Sequence, residues 1–219
     1  MKKNIFWLLI LLSTTCFSQR IRGFGGFGLY LDRSFEKSVF ASVNGGLEFK
    51  INKLVKPEIQ FEYFFGSLPD RTTEDSNGIV TELLVRTVSA TNLSICPKIT
   101  FGDNEDPVLF QILPFFNITN VTAKGAEFNL NSAKTNLIKT DSDSYSEKRY
   151  SFGIGTGIVF NLSDESFQAI ALNLYYNNID LGNALTNLKL NKGIYHTQQS
   201  LGIGVKYYFG FVKHRKTSF

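Results

Sequence analysis

Apolar and polar residues alternate with a period of two along most of this chain, and the alternation is clearest near its end. Within 200–211, Leu201, Ile203, Val205, Tyr207, Phe209 and Phe211 share one parity, while Ser200, Gly202, Gly204, Lys206, Tyr208 and Gly210 share the other. Successive side chains of a strand point to opposite faces, so this is a strand with two very different surroundings. Residues 150–162 repeat the pattern, with Thr156 and Val159 out of step, and so do 39–51 and 57–66. Weaker versions occupy 21–31, 91–101, 108–118 and 167–177. The expectation is about eight strands, each long enough to cross hydrocarbon when tilted. No segment after the first twenty residues shows a sustained helical period.

The connections add a second pattern. Residues 52–54, 102–106 and 163–166 read as short turns, whereas 67–88, 119–149 and 178–197 read as long polar loops, with 32–37 the short exception. Short and long alternate in order, as in an up-and-down barrel that keeps tight turns on one side of a membrane and longer loops on the other. The segment 78–85 is a candidate extension of the fourth strand beyond the membrane rim.

A strand in lipid has no water to satisfy its backbone, so the sheet must close on itself. The reading is therefore all-β: an antiparallel up-and-down transmembrane β-barrel of about eight strands, apolar face outward. Eight strands leave an interior just wide enough for side chains to fill. Inner parity then holds glycines such as Gly153, Gly155, Gly157, Gly202 and Gly204, which make room for long neighbours. It also holds charges of both signs: Arg22, Glu48, Lys50, Glu58, Glu62, Lys98 and Lys206. The expectation is a salt-bridged plug rather than an open pore, because unpaired charges in such a lumen are costly. Phe64, Phe65, Phe115, Phe116, Tyr175, Tyr176, Tyr207 and Tyr208 are candidates for the aromatic girdles that mark the two interfaces.

The beginning of the chain changes the cellular picture. Lys2 and Lys3 precede an apolar run, Ile5 to Leu12, and Cys16 and Ser18 fill the small-residue places before a cleavage at Gln19. Residues 1–18 are expected to be a secretory signal peptide and 19–219 a single barrel domain. A lipoprotein signal lipidated on Cys16 is the competing reading, but Thr15 and Ser13 stand where such a signal needs other residues. Without Lys2 and Lys3, 21 of the 23 basic residues face 19 acidic ones, so the charge is about +2 and no nucleic-acid partner is expected. Cys96 would remain as a single thiol, which excludes an intramolecular disulfide and a cysteine metal cluster. A hydrophobic fraction of 43% does not separate a soluble protein from a membrane barrel, since only alternate residues meet lipid.

The leader with Gln19 after it, the eight alternating segments and the last strand GIGVKYYFGF resemble small OmpA/OmpX-type barrels, particularly the outer-membrane β-barrel proteins of Bacteroidota. The resemblance implies an outer-membrane protein with periplasmic termini, surrounded by lipid and lipopolysaccharide. It also implies a final strand read by the barrel-assembly machinery through a terminal aromatic. Phe211 matches that place, although VKHRKTSF follows and ends on Phe219. The implied roles are structural, adhesive or interactive, through extracellular loops, with an unidentified extracellular or periplasmic protein as a further partner.

Other chemistry is thin. Gly23, Gly25 and Gly28 have dinucleotide-loop spacing, but a strand-like Leu29-Tyr30-Leu31 follows where that motif needs a helix. His196 in the last long loop with Asp180 would be the only acid–histidine set, and His214 lies in the tail. Asp141, Asp143 and Glu147 are a candidate cation site. Cys96 reads as a small lumen filler. No catalytic residue, metal or cofactor is expected. The alternatives are a soluble lipocalin-like barrel for an apolar ligand, or a small channel or barrel enzyme. A larger ring that used 78–90 and 121–139 as extra strands would reopen the channel.

Overall fold

The computed structural model describes residues 21–31, 39–102, 106–131, 133, 136–162, 168–190 and 199–210. The expected signal peptide, Phe211 with the tail beyond it, His196 and His214 lie outside these residues. The elements are β1 (Ile21–Leu31), β2 (Val39–Phe49), β3 (Glu58–Ser67), β4 (Arg71–Glu74), β5 (Val80–Cys96), β6 (Ile99–Phe101), β7 (Val108–Leu130), β8 (Leu137–Asn161), β9 (Ala169–Asn177), a single helical turn α1 (Gly182–Thr186) and β10 (Ser200–Gly210).

Eight strands close into an antiparallel ring in the order β1-β2-β3-β5-β7-β8-β9-β10, with β10 pairing back onto β1. The short β4 adds only to the upper part of β5. The pairing pattern also gives the tilt. From Phe24 the ladder runs one way through Gly46, Gln60, Ser94 and Asn117 to Ser151. The other way it runs through Tyr208 and Ala169 to Asn161. The two routes meet on β8 ten residues apart, a shear of ten on eight strands, which tilts the strands by about 40°. A ten-residue strand at that tilt rises about 25 Å, the height of an apolar band that spans a bilayer.

β6 is the continuation of β5. Ile95 pairs with Phe116 and Ile99 with Ile112, so the register is unbroken across the gap. The same register sets Pro97 opposite Pro114. Likewise, Glu58↔Cys96 and Val55↔Ile99 set Pro57 opposite Pro97. Three adjacent strands thus place a residue without an N–H at one level, which is why the ladder is interrupted there while its register continues. Beyond the interruption the ladder resumes, with Lys56 N donating to Lys98 O at 2.9 Å and Thr100 N to Leu54 O at 2.7 Å.

Two of the expected loops are corrected to strand. Residues 119–130 and 137–149 form the upper halves of β7 and β8, and 80–88 form the upper part of β5. These segments extend existing ring strands and add none, so the larger ring does not form. The sequence hid them because water can wet both faces above the rim. A stretch such as Asp141-Ser142-Asp143-Ser144 therefore carries no apolar parity.

The outer face of the ring is apolar all the way round, with Phe27, Val43, Phe61, Leu93, Phe110, Phe152, Leu174 and Ile203 each exposed on a different ring strand. Inside, the glycines make room mainly for aromatic and amide groups rather than for charges. A Cβ on Gly202 would lie 2.4 Å from the Tyr30 ring, one on Gly204 2.8 Å from Tyr175, and one on Gly157 2.1 Å from Asn173 Oδ1. The Gly202→Val variant should lose about 1–3 kcal/mol by overpacking against Tyr30. Leu201→Val, on the outer face of the same strand, should lose far less. Urea titration of the fast-migrating folded band on unboiled gels measures both.

Candidate functional site

The lumen is filled in layers, beginning at the end that carries the short turns. Arg22 and Glu48 face each other across β1 and β2, and Glu48 and Glu58 face each other across β2 and β3. Two carboxylates directly opposite would repel. Lys98, at the junction of β5 and β6, lies between them. Its Nζ donates to Glu48 Oε2, to Glu58 Oε1 at 2.8 Å and to Tyr208 OH at 3.2 Å. Arg22 Nε donates to Glu48 Oε1 at 2.7 Å, and Lys206 Nζ donates to Glu58 Oε2 at 2.8 Å. Tyr208 OH also donates to Glu58 Oε1 at 2.8 Å.

The rings complete the cage. The Lys98 ammonium lies 4.3 Å from the Tyr208 ring centre, and Lys206 lies 4.5 Å from that of Phe24. Glu58 and Lys206 are both 0% exposed. Charges so deeply buried survive only when paired and fully hydrogen-bonded, and here each carboxylate oxygen of Glu58 has a cationic donor.

Glu62 stands apart, one layer further up. It accepts from Tyr30 OH at 3.1 Å, Ser42 Oγ at 2.6 Å and Gln60 Nε2 at 3.0 Å. Lys50 is the first residue beyond β2 and is half-buried there. The remaining six expected residues comprise three cations and three carboxylates inside the barrel, a balanced set.

Above and beside the charges runs a ladder of neutral polar groups. Asn92 Nδ2 donates to Ser94 Oγ at 2.8 Å, and Ser94 Oγ to Asn117 Oδ1 at 2.7 Å. Gln111 Nε2 donates to Asn173 Oδ1 at 2.6 Å, and Asn173 Nδ2 to Tyr175 OH at 3.0 Å. An aromatic layer follows, with Tyr30 stacked on Phe40 at 5.4 Å and edge-on to Phe64 at 5.2 Å. Ile179, Leu181, Ala184, Leu185 and Leu188, in and around α1, join the same buried apolar cluster as Tyr30 and Phe64. Between the layers, a cavity of about 10 Å³ bounded by Gln60, Glu62 and Asn117 has room for about one water.

Sequence reasoning missed Tyr30, Tyr208, Gln60 and the asparagines as parts of this network. Inner parity alone would have found them, since all lie on the same face as the charges. It also assigned the aromatic girdles too generously. Phe64, Phe115, Tyr175 and Tyr208 are buried in the lumen, while their neighbours Phe65, Tyr176 and Tyr207 are exposed outside. Adjacent residues of a strand cannot share a face.

The remaining candidates have structural partners. Asp180 Oδ1 accepts from Asn183 N at 2.9 Å, Asp143 from Lys189 N at 2.7 Å, and Glu147 from Asn183 Nδ2 at 2.9 Å. Among the described residues, no group of three or more His, Cys, Asp or Glu could hold a metal. Gly23, Gly25 and Gly28 lie within β1, and Cys96 is buried in the lumen.

No family model and no curated protein matches this chain. Solved structures are similar at low identity. Neisserial surface protein A is 9% identical, with 87% of this chain and 96% of that one covered and a TM-score of 0.49. A major outer membrane protein from Thermus thermophilus is 10% identical, with 86% and 99% covered and a TM-score of 0.46. Ail, the attachment invasion locus protein of Yersinia pestis, is 11% identical, with 87% and 97% covered and a TM-score of 0.37.

Removing Glu58 strands two ammonium groups beside a single carboxylate, so Glu58→Gln should cost about 3–5 kcal/mol. Lys206→Ala and Glu62→Ala should each lower the melting temperature by less. Joining Lys206→Met to Glu58→Gln should recover part of the loss. Thermal loss of the folded gel band ranks the four proteins, and two unchanged alanine variants would show that the network does not stabilise the barrel.

Proposed function

We propose that the protein is an integral outer-membrane β-barrel whose lumen is sealed and which acts through its extended loop end in structural, adhesive or interaction roles. One observation carries the proposal: the exterior is apolar round the whole ring, while ion pairs and amides are buried within. A soluble barrel that holds an apolar ligand needs the reverse. In hydrocarbon, the apolar face is solvated by lipid and every ladder hydrogen bond is made inside the ring. The sealed lumen argues for a role other than conduction. A non-enzymatic role fits the candidate acids, which are engaged by donors of the protein itself.

In this reading the short-turn end, with the first residue of β1 and the last of β10, faces the periplasm. The raised tops of β5, β7 and β8 face outward with α1. The partners are outer-membrane lipid and lipopolysaccharide, the assembly machinery that receives the C-terminal strand, and an unidentified extracellular or periplasmic protein. The bacterial group of the resemblance, Bacteroidota, belongs to the same proposal.

Outer-membrane fractions from expressing cells should contain a band that runs faster unboiled than boiled in SDS. The purified protein in a planar bilayer should give no regular conductance steps. Recovery as a soluble periplasmic protein without a mobility shift would overturn the membrane reading, and steady single-channel steps would overturn the sealed lumen.

A further inference from the structure

The raised arm formed by the tops of β5, β7 and β8 keeps carboxylates off the outer positions of its lower rows, and a backbone irregularity brings one more lysine to that face. Inner-facing positions of β8 carry Asp143 and Glu147, which bond Lys189 N and Asn183 beside α1, and Arg149, which pairs with Glu147 at 3.0 Å. The outer face is different. Its rows, read across the three strands, are Thr91–Asn120–Lys148, Ser89–Thr122–Ser146, Thr87–Lys124–Ser144 and Val85–Ala126–Ser142. These twelve positions hold seven hydroxyls, two lysines, Asn120, Val85 and Ala126, and no acid, whereas an ordinary solvated face mixes both signs.

The register then slips. Glu127 pairs with Asp141, but Phe128 pairs with Lys139, so Thr140 is an extra residue on β8. A bulge of this kind re-aims the side chains beyond it. Lys139 shares the inward parity of Asp141 and Asp143, and the slip turns it to the outer face with Lys124. Thr140 holds the bulge by accepting from Asn129 Nδ2 at 3.0 Å and donating to Glu127 O at 3.3 Å. Lys124 and Lys139 line one concavity of about 520 Å³ with Thr87, Ser142, Ser144 and Asp143, whose carboxylate accepts from Lys189 N at 2.7 Å. Both lysines are exposed, and neither pairs with a carboxylate among the described residues.

The height of this groove argues for one class of membrane lipid. The outer apolar band ends at the row of Leu93, Ile118 and Tyr150. Lys148 lies one row higher, about 5 Å along the barrel axis, at the depth of lipid headgroups. Its ammonium lies 5.5 Å from the Tyr150 ring centre. Lys124 and Lys139 lie about 15 Å or more above the band, beyond the roughly 5–8 Å headgroup layer of a phospholipid. A lipid with a saccharide headgroup reaches that far while its chains stay beside the barrel.

We propose that this groove binds the phosphorylated saccharide of an outer-leaflet glycolipid. Lys124 and Lys139 take its anionic groups, the serine and threonine hydroxyls take its sugar hydroxyls, and Lys148 meets the phosphate nearest the membrane. The proposal rests on the outer-membrane reading. The probe is the soluble phosphorylated core oligosaccharide released from a lipopolysaccharide, titrated calorimetrically into the full-length protein in detergent at about 50 mM and about 300 mM salt. Binding should weaken with salt. It should fall about tenfold both in the Lys124→Gln/Lys139→Gln double variant and with enzymatically dephosphorylated oligosaccharide. Deleting Thr140 should reproduce much of the double variant's loss, because Lys139 then turns inward.

Equal binding by wild type and the double variant, or by both forms of the oligosaccharide, would overturn the proposal. So would inorganic phosphate that competes at matched concentration, because the site would then recognise phosphate alone. The boiled and unboiled gel of the same samples reports the barrel separately. A normal mobility shift without binding sinks only the glycolipid site, whereas a missing shift sinks the membrane reading beneath it.

Discussion

The rest of the fold depends on the pairing of each ring strand's backbone with its two neighbours. A strand with lipid on one side and packed side chains on the other can satisfy its N–H and C=O groups only through its two neighbours. Closure of the ring meets that demand, and the ten-residue shear sets how closure is achieved: strands tilted by about 40° round a lumen that side chains fill. Even the proline row respects the constraint. Pro57, Pro97 and Pro114 fall at one level of three adjacent strands, so the missing donors are concentrated there and the register continues on both sides.

Filling the lumen with ion pairs rather than leucines has a physical consequence. Buried charges that lack a partner are far more costly than an apolar misfit, so a slipped register would strand Glu48, Glu58 or Lys206 beside the wrong neighbour. Lys98 contributes most to this, because it separates two glutamates that the correct register places face to face. The network thus penalises alternative pairings of a sheet whose uniformly apolar outer face discriminates weakly among them.

The two ends of the barrel obey different rules. At the turn end, connections are short and the charges sit close to the rim. At the loop end, three strands continue beyond the apolar band, and α1 with its neighbouring leucines packs over the aromatic layer. There the arm carries hydroxyls and lysines on one face, while Asp143, Glu147 and Arg149 share the other. The bulge at Thr140 is tolerated there, where a locally disturbed ladder can be solvated.

The local pattern of the sequence was enough to locate the strands and assign their faces wherever lipid and lumen impose opposite demands. The spans of β1 and β10 and the inward parity of Arg22, Glu48, Glu58, Glu62, Lys98 and Lys206 were legible in that way. Parity also held the information about Tyr30 and Tyr208, although aromatic character suggested girdles instead. The upper halves of β7 and β8 were illegible, because residues wet on both faces show no alternation. Which charges meet was decided only by the tertiary structure. Glu58 and Lys206 lie on strands far apart in sequence, and their contact depends on shear and closure, which are properties of the whole ring. The aim of Lys139 likewise depends on one extra residue in the pairing of two strands, which no single strand records.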